Sequence, residues 1–71
     1  MNIEFYLKNT DDRIVSRNEE KVETEFGNVF YLKDGEIIKA IWKTKFETME
    51  IDNPSFSKYY LESYSENMLR K

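Results

Sequence analysis

The sequence predicts an α+β domain: a bent antiparallel sheet of about five strands followed by one C-terminal helix. Three observations carry this reading. Between Val22 and Trp42, runs of β-branched and aromatic residues are punctuated by two turn signals, Gly27-Asn28 and Asp34-Gly35. Near the start, Ile3, Phe5 and Leu7 alternate with polar neighbours. Near the end, Asn53-Pro54 opens a stretch whose aromatic residues recur three or four positions apart.

Taken in order, Ile3 to Leu7 reads as a half-buried strand, since period two puts its apolar residues on one face. Asn9-Thr10-Asp11-Asp12 is a cluster of turn formers whose side chains bond nearby backbone groups. Arg13 to Ser16 is the return strand, with Leu7 opposite Ile14 and Tyr6 opposite Val15. Arg17-Asn18-Glu19 connects it loosely to a three-stranded meander. With two-residue loops at both turn signals, the first hairpin pairs Phe26 with Val29 and Thr24 with Tyr31. The second pairs Tyr31 with Ile38 and Val29 with Ala40. Val22, Phe26, Val29, Tyr31, Ile38 and Trp42 then share one face.

The last meander strand runs from Glu36 to about Thr48, and only its first half pairs with Val29 to Lys33. Its second half requires another neighbour, and Ile3 to Leu7 is the candidate. Sharing one strand between two neighbours implies a strongly bent sheet or a small, partly closed barrel. After Thr48 the apolar phase shifts to Met49 and Ile51, which reads as a bulge or strand end. Asn53 is placed to cap a helix and Pro54 to occupy its first position. Phe56, Tyr59, Tyr60, Tyr64 and Met68 form the stripe that docks on the Trp42 face. Arg70 and Lys71 complement the negative end of the helix dipole. No repeat, linker or low-complexity tract divides the chain, so residues 1–71 read as one domain, 1–52 sheet and 53–71 helix.

Composition excludes several chemistries. The chain has no Cys and no His, which removes disulfides, thiolate nucleophiles, the usual zinc sites and the usual general base near neutral pH. A domain of 71 residues hides only about 60% of its unfolded surface, so its five Phe, five Tyr and one Trp must supply much of the core. Homo-oligomerisation is the other route to buried area. Both glycines belong to hairpins, so no phosphate-binding loop and no cofactor site is expected. Ser57-Lys58 is a poor nucleophile–base pair, because adjacent helical residues point apart. Asp11-Asp12 and Glu19-Glu20 read as solvated turn residues, and nothing in the spacing forces Asp11, Asp12 and Asp52 onto one metal ion. No catalytic residue is assigned and no enzyme is expected. With no bilayer-length apolar run and no basic-then-apolar opening, the expectation is a cytoplasmic protein without a membrane partner.

Two binding classes remain. On the register above, Phe30, Leu32, Ile37 and Ile41 point away from the Trp42 face. An apolar outward face is either covered by a second layer of Ile3, Phe5, Leu7 and Ile14 or left for a protein partner. The alternative is nucleic acid: Lys39, Lys43 and Lys45 share a strand face with Ile41, with Phe30 across from Lys39. Lysines on the solvent side of a strand also keep sheets soluble, and Glu23 and Glu25 on the neighbouring strand offset their field. The net charge of −3 is mild and mixed, a solubility property more than a partner signal. Phe, Tyr, Met, Ile, Asn and Lys account for 33 of 71 residues, the signature of AT-rich codons. In size, acidity and composition, though in no motif, the chain resembles the general run of small phage or mobile-element proteins. Such proteins commonly inhibit a host enzyme or defence complex by occupying its surface. The resemblance implies a non-enzymatic protein-binding inhibitor, with Phe30, Leu32, Ile37, Ile41, Lys39, Lys43 and Lys45 as candidate contacts.

Overall fold

In a computed structural model that describes residues 1–69, the chain runs α1 (Ile3–Lys8), β1 (Ile14–Arg17), β2 (Lys21–Thr24), β3 (Val29–Lys33), β4 (Glu36–Lys43), β5 (Thr48–Asp52) and α2 (Lys58–Leu69). The five strands form one antiparallel meander in sequence order. The sheet stays open and no barrel closes, so the architecture is α+β with a C-terminal helix. Among the described residues no helix is long and apolar enough to cross a membrane. The expectation for Arg70 and Lys71 lies outside the described residues.

Strand count agrees with the sequence reading, but two elements differ from it. Ile3 to Lys8 is a helix, not a strand. The Asn2 side chain accepts the Glu4 N–H at 2.7 Å, and Asn9 and Thr10 side chains bond the carbonyls of Phe5 and Tyr6. Capping at both ends favours the helix, and helical spacing turns Ile3 and Tyr6 inward together. Over so few residues the periods of strand and helix are hard to separate. The long last strand is in fact two. Thr44 to Glu47 reverses the chain, and β5 returns beside β4 with Thr48 opposite Lys43 and Met49 opposite Trp42. Thus β5, not the N-terminal segment, supplies the missing neighbour.

Register also departs from the simple scheme, for two physical reasons. The Asp34-Gly35 turn forms as expected, with φ of 53° and 81° and Lys33 opposite Glu36. Two residues further on, however, the pairing shifts from Leu32–Ile37 to Tyr31–Lys39. Ile38 is the extra residue, and it is 43% exposed. The first hairpin has a three-residue loop instead of two. Thr24 N–H donates to Asn28 O at 2.9 Å, Gly27 N–H donates to Thr24 O at 3.0 Å, and Gly27 takes a φ of 95°. These shifts reverse which face is core. Phe30 and Leu32 now share the inner face with Ala40 and Trp42, whereas Val29 and Tyr31 lie outside, opposite Ile41 and Lys39.

Both helices contribute to one core, on one face of the sheet. Ile3 and Tyr6 from α1 meet Val22, Phe30, Leu32, Ile37, Ala40 and Trp42, and Leu61 and Tyr64 from α2 complete the cluster. Leu7, Ile14, Phe56 and Met68 pack against it. Trp42 is stacked on Tyr64 at 4.3 Å and tilted against Phe56 at 4.6 Å, with Tyr6 edge-on at 5.9 Å. Burying each such side chain contributes about 1.5–3 kcal/mol. Helix α2 begins at Lys58, later than Asn53-Pro54 suggests. Asn53 takes a φ of 47° at the strand exit, Pro54 is buried in the connection, and Ser57 Oγ accepts the Tyr60 N–H at 3.1 Å as the working cap.

Candidate partner-binding site

The residues singled out from the sequence fall in three places. Phe30, Leu32 and Ile37 are buried core residues and do not form an outward patch, because the bulge and the longer loop turn them inward. The second layer that covers them includes Ile3, Leu7 and Ile14, joined by Tyr6 and α2. Ile41 and Lys39 do lie outside, in cross-strand rows Ser16–Glu23–Val29–Ile41–Glu50 and Lys21–Tyr31–Lys39–Asp52. Tyr31, not Phe30, stands opposite Lys39, with the ammonium 5.8 Å from the ring centroid. Lys39 pairs with Glu50 at 3.0 Å and Lys21 with Glu23 at 3.4 Å. The Glu50 hydrogen bond and charge raise the Lys39 pKa, so it stays protonated. This outer face is therefore a charge-balanced surface over a half-buried Val29–Ile41 centre. Lys43 and Lys45 are exposed at the end of β4 and in the turn beyond it.

A polar cluster that the sequence reading missed sits inside the fold. Asn28 is fully buried; its amide donates to the hydroxyls of Tyr6 and Tyr64 at 2.9 Å each, and its carbonyl accepts the Lys43 N–H at 2.7 Å. Tyr64 in turn donates to Lys43 O at 2.6 Å. Tyr6 donates to the Asp12 carboxylate at 2.5 Å, and the same carboxylate accepts the N–H groups of Arg13 at 2.8 Å and Phe26 at 2.9 Å. Asp12 is thus no solvated turn residue: it ties α1, the first hairpin and the intervening loop together. Burial first, and then the Asp12 hydrogen bond, raise the Tyr6 pKa far above that of a free phenol. Burial likewise pushes Tyr64 up to about 12. Mutually bonded, these groups clamp the fold together, with Tyr6 and Asn28 fully enclosed. Among the described residues no three carboxylates converge to hold a metal ion.

The open surface lies at the other side of Tyr64. The β4–β5 turn is stiffened by Thr44, whose N–H donates to Glu47 O at 2.9 Å and whose Oγ1 accepts the N–H groups of Phe46 and Glu47 at 3.2 Å each. This turn holds Phe46 out in water, 95% exposed. Across from it stands α2, with Tyr60 45% exposed and Tyr59 80% exposed. Tyr60, expected in the core with Tyr64, is instead the outer member of a stack: its ring lies 4.9 Å from Phe56 and 6.5 Å from Tyr64, nearly parallel to both. Thr44, Lys45 and Phe46 on one side and Tyr60, Ser63, Tyr64, Asn67 and Met68 on the other enclose an open cleft of about 370 Å³. A second cleft, about 440 Å³, lies between the end of α1 and the opposite flank of α2. Its lining includes Lys8, Asp11, Lys58, Glu62 and Glu66, and no aromatic or aliphatic residue.

No protein-family model, curated protein or solved structure matches the chain.

Proposed function

We propose that this chain is a non-enzymatic protein-binding module, and that its contact surface is the Thr44–Glu47 turn with the adjoining flank of α2. One observation carries the reading: Phe46 is 95% exposed on a turn that its own hydrogen bonds keep rigid. Leaving a Phe in water forgoes about 1.5–3 kcal/mol of burial, and the fold gains nothing from it. A large apolar group carried on an ordered turn suits an interface anchor, because the backbone's ordering cost is met before the partner arrives. Tyr59 and Tyr60 add the amphipathic area typical of interface centres. The chain has no His or Cys, and Tyr6, Asp12 and Asn28 are enclosed, so the usual acid–base and thiol groups lend no support to an enzymatic reading.

Acting by occupancy, such a module would inhibit whatever surface it covers, in keeping with the phage-like size and composition. The nucleic-acid alternative is weaker on electrostatic grounds. Glu50 neutralises Lys39, Glu23 pairs with Lys21 on the same face, and the chain as a whole is acidic at −3. The test is capture from a cell lysate on immobilised protein, with and without nuclease, comparing the natural chain with Phe46→Ala at equal folded content. The expected result is a nuclease-resistant protein band lost with Phe46→Ala. A band abolished by nuclease, or one indifferent to Phe46, would overturn the proposal.

A further inference from the structure

We infer that the cleft between the Thr44–Glu47 turn and α2 takes an extended acidic segment of a partner protein, one with an aromatic or long apolar anchor beside its carboxylates. This inference rests on the protein-binding reading above and narrows it to a ligand class. Size sets the first limit. About 370 Å³ lies at the lower end of ligand-pocket volumes, roughly 300–1,000 Å³. It admits one anchoring side chain and a stretch of backbone, not the face of a globular domain.

The walls set the second limit. Phe46 and Tyr60 flank the cleft, and Tyr60 is held in place by its stacking on Phe56 and Tyr64. Two flat, pre-positioned rings favour an aromatic or long apolar insert. Ser63 and Asn67, four residues apart and therefore on one flank of α2, line the same cleft with uncharged hydrogen-bonding groups.

Charge sets the third. Lys45 lines the cleft and makes no ion pair among the described residues, whereas Lys43, two residues earlier, lies against Gly27 and outside the lining. By contrast Arg13, Lys21, Lys39 and Lys58 are all paired with carboxylates. Among the described residues no carboxylate lines this cleft, and Glu62 and Glu66 of α2 line the opposite one. Lys8, Arg17 and Lys33 are likewise outside the ion pairs among the described residues, but Lys8 shares its cleft with Asp11, Glu62 and Glu66. On a chain of net charge −3, an anionic segment therefore meets less repulsion beside Lys45 than in the other cleft. A second copy of the chain would bring the same unpaired cation to the same place. A nucleic-acid strand would set a dense row of phosphates against a few lysines and an acidic remainder. A short peptide with a few carboxylates avoids both penalties.

The experiment uses the full chain and three fluorescein-labelled peptides. One has a central tryptophan flanked by glutamates, one replaces the glutamates with lysines, and one replaces the tryptophan with serine. Binding is read by fluorescence polarisation at low and physiological salt. The expected result is that the acidic tryptophan peptide binds at least about tenfold tighter than either counterpart, and more weakly as salt rises. Phe46→Ala should cost about tenfold or more, and Lys45→Glu should shift the preference toward the lysine peptide. Both substitutions are at exposed positions, and circular dichroism confirms equal folded content before comparison. Equal binding of acidic and basic peptides, or binding indifferent to Phe46 and Lys45, would overturn the inference. If the peptides fail but lysate capture still depends on Phe46, the ligand class is wrong and the protein-binding reading stands. Oligonucleotide binding that depends on Phe46 would overturn both. A dimer by sedimentation that dissociates on Phe46→Ala would assign the cleft to a second copy and overturn the peptide class.

Discussion

Asn28→Ala tests the internal clamp, and its cost follows from the hydrogen bonds it breaks. The Asn28 side chain makes three: to Tyr6 Oη, to Tyr64 Oη, and from Lys43 N–H. The two hydroxyls keep a partner each, since Tyr6 still donates to Asp12 and Tyr64 to Lys43 O. Their loss is modest, about 0.5–1.5 kcal/mol apiece. The Lys43 N–H is left without an acceptor, which costs about 1–3 kcal/mol if it stays dry. Together these span about 2–6 kcal/mol, with about 3 expected where water partly reaches the Lys43 N–H. At about 0.05–0.15 kcal/mol per residue, a chain of 71 residues has roughly 4–10 kcal/mol in total, so the variant loses a third or more. The expected thermal midpoint falls by about 12–24 °C, at about 4–8 °C per kcal/mol for a domain of this size. Circular dichroism and Trp42 fluorescence should report the same transition. A second variant, Tyr64→Phe, should combine with Asn28→Ala by less than the sum of the two, because they share one bond. A midpoint within about 4 °C of the natural chain would refute the reasoning, since it would mean that no buried N–H had lost its partner.

Three further outcomes follow from the same structure. Gly35→Val should destabilise by about 1–3 kcal/mol in a denaturant titration, because φ is 81° there and a branched side chain is strained in that region even where space exists. Phe30→Asp should abolish cooperative unfolding, whereas Ile41→Asp should cost only about 1 kcal/mol, since Ile41 is half-buried on the outer face; equal effects in thermal scans would contradict the face assignment. Raising the pH from about 10 to about 12 should steeply lower the protein's stability and thermal midpoint. Tyr6 and Tyr64 have folded pKa values above the ordinary 10.0, so their contribution is intact below pH 10 and is lost as pH rises toward the Tyr64 value of about 12. Each loses about 1.4 kcal/mol per pH unit in that window, and tyrosinate absorbance should rise together with the loss of Trp42 fluorescence.

The sequence carried the sheet because β-propensity, turn chemistry and alternation agreed between Val22 and Trp42. Asp34-Gly35 was legible to the residue, since only a residue tolerant of positive φ fits that turn. What could not be read was the count of residues between pairs. A bulge at Ile38 and one added loop residue before Asn28 each reverse the faces, and neither has a sequence mark of its own. Gly27-Asn28 looked like a two-residue turn because Asn commonly takes that place. Its amide is instead needed inside, where Tyr6, Tyr64 and Lys43 compete for it. The β4–β5 turn was hidden because Thr44-Lys45-Phe46-Glu47 has no Gly, Pro, Asn or Asp, and one Thr hydroxyl is a weak signal. For the candidate site, Lys43 and Lys45 read as part of a lysine row with Lys39 that Glu23 and Glu25 offset, Phe46 as a strand residue and Tyr60 as core. Only the fold places the two rings across one cleft.

The most direct measurement of the central claim is amide chemical-shift mapping on the isotopically labelled chain as its captured partner, or the acidic tryptophan peptide, is added. The account predicts shifts concentrated at Thr44 to Thr48 and along α2 from Tyr60 to Met68, with the outer face at Val29, Tyr31 and Ile41 unchanged. Shifts centred on that outer face, or on the α1 end of α2 near Asp11 and Lys58, would place the contact elsewhere and contradict it.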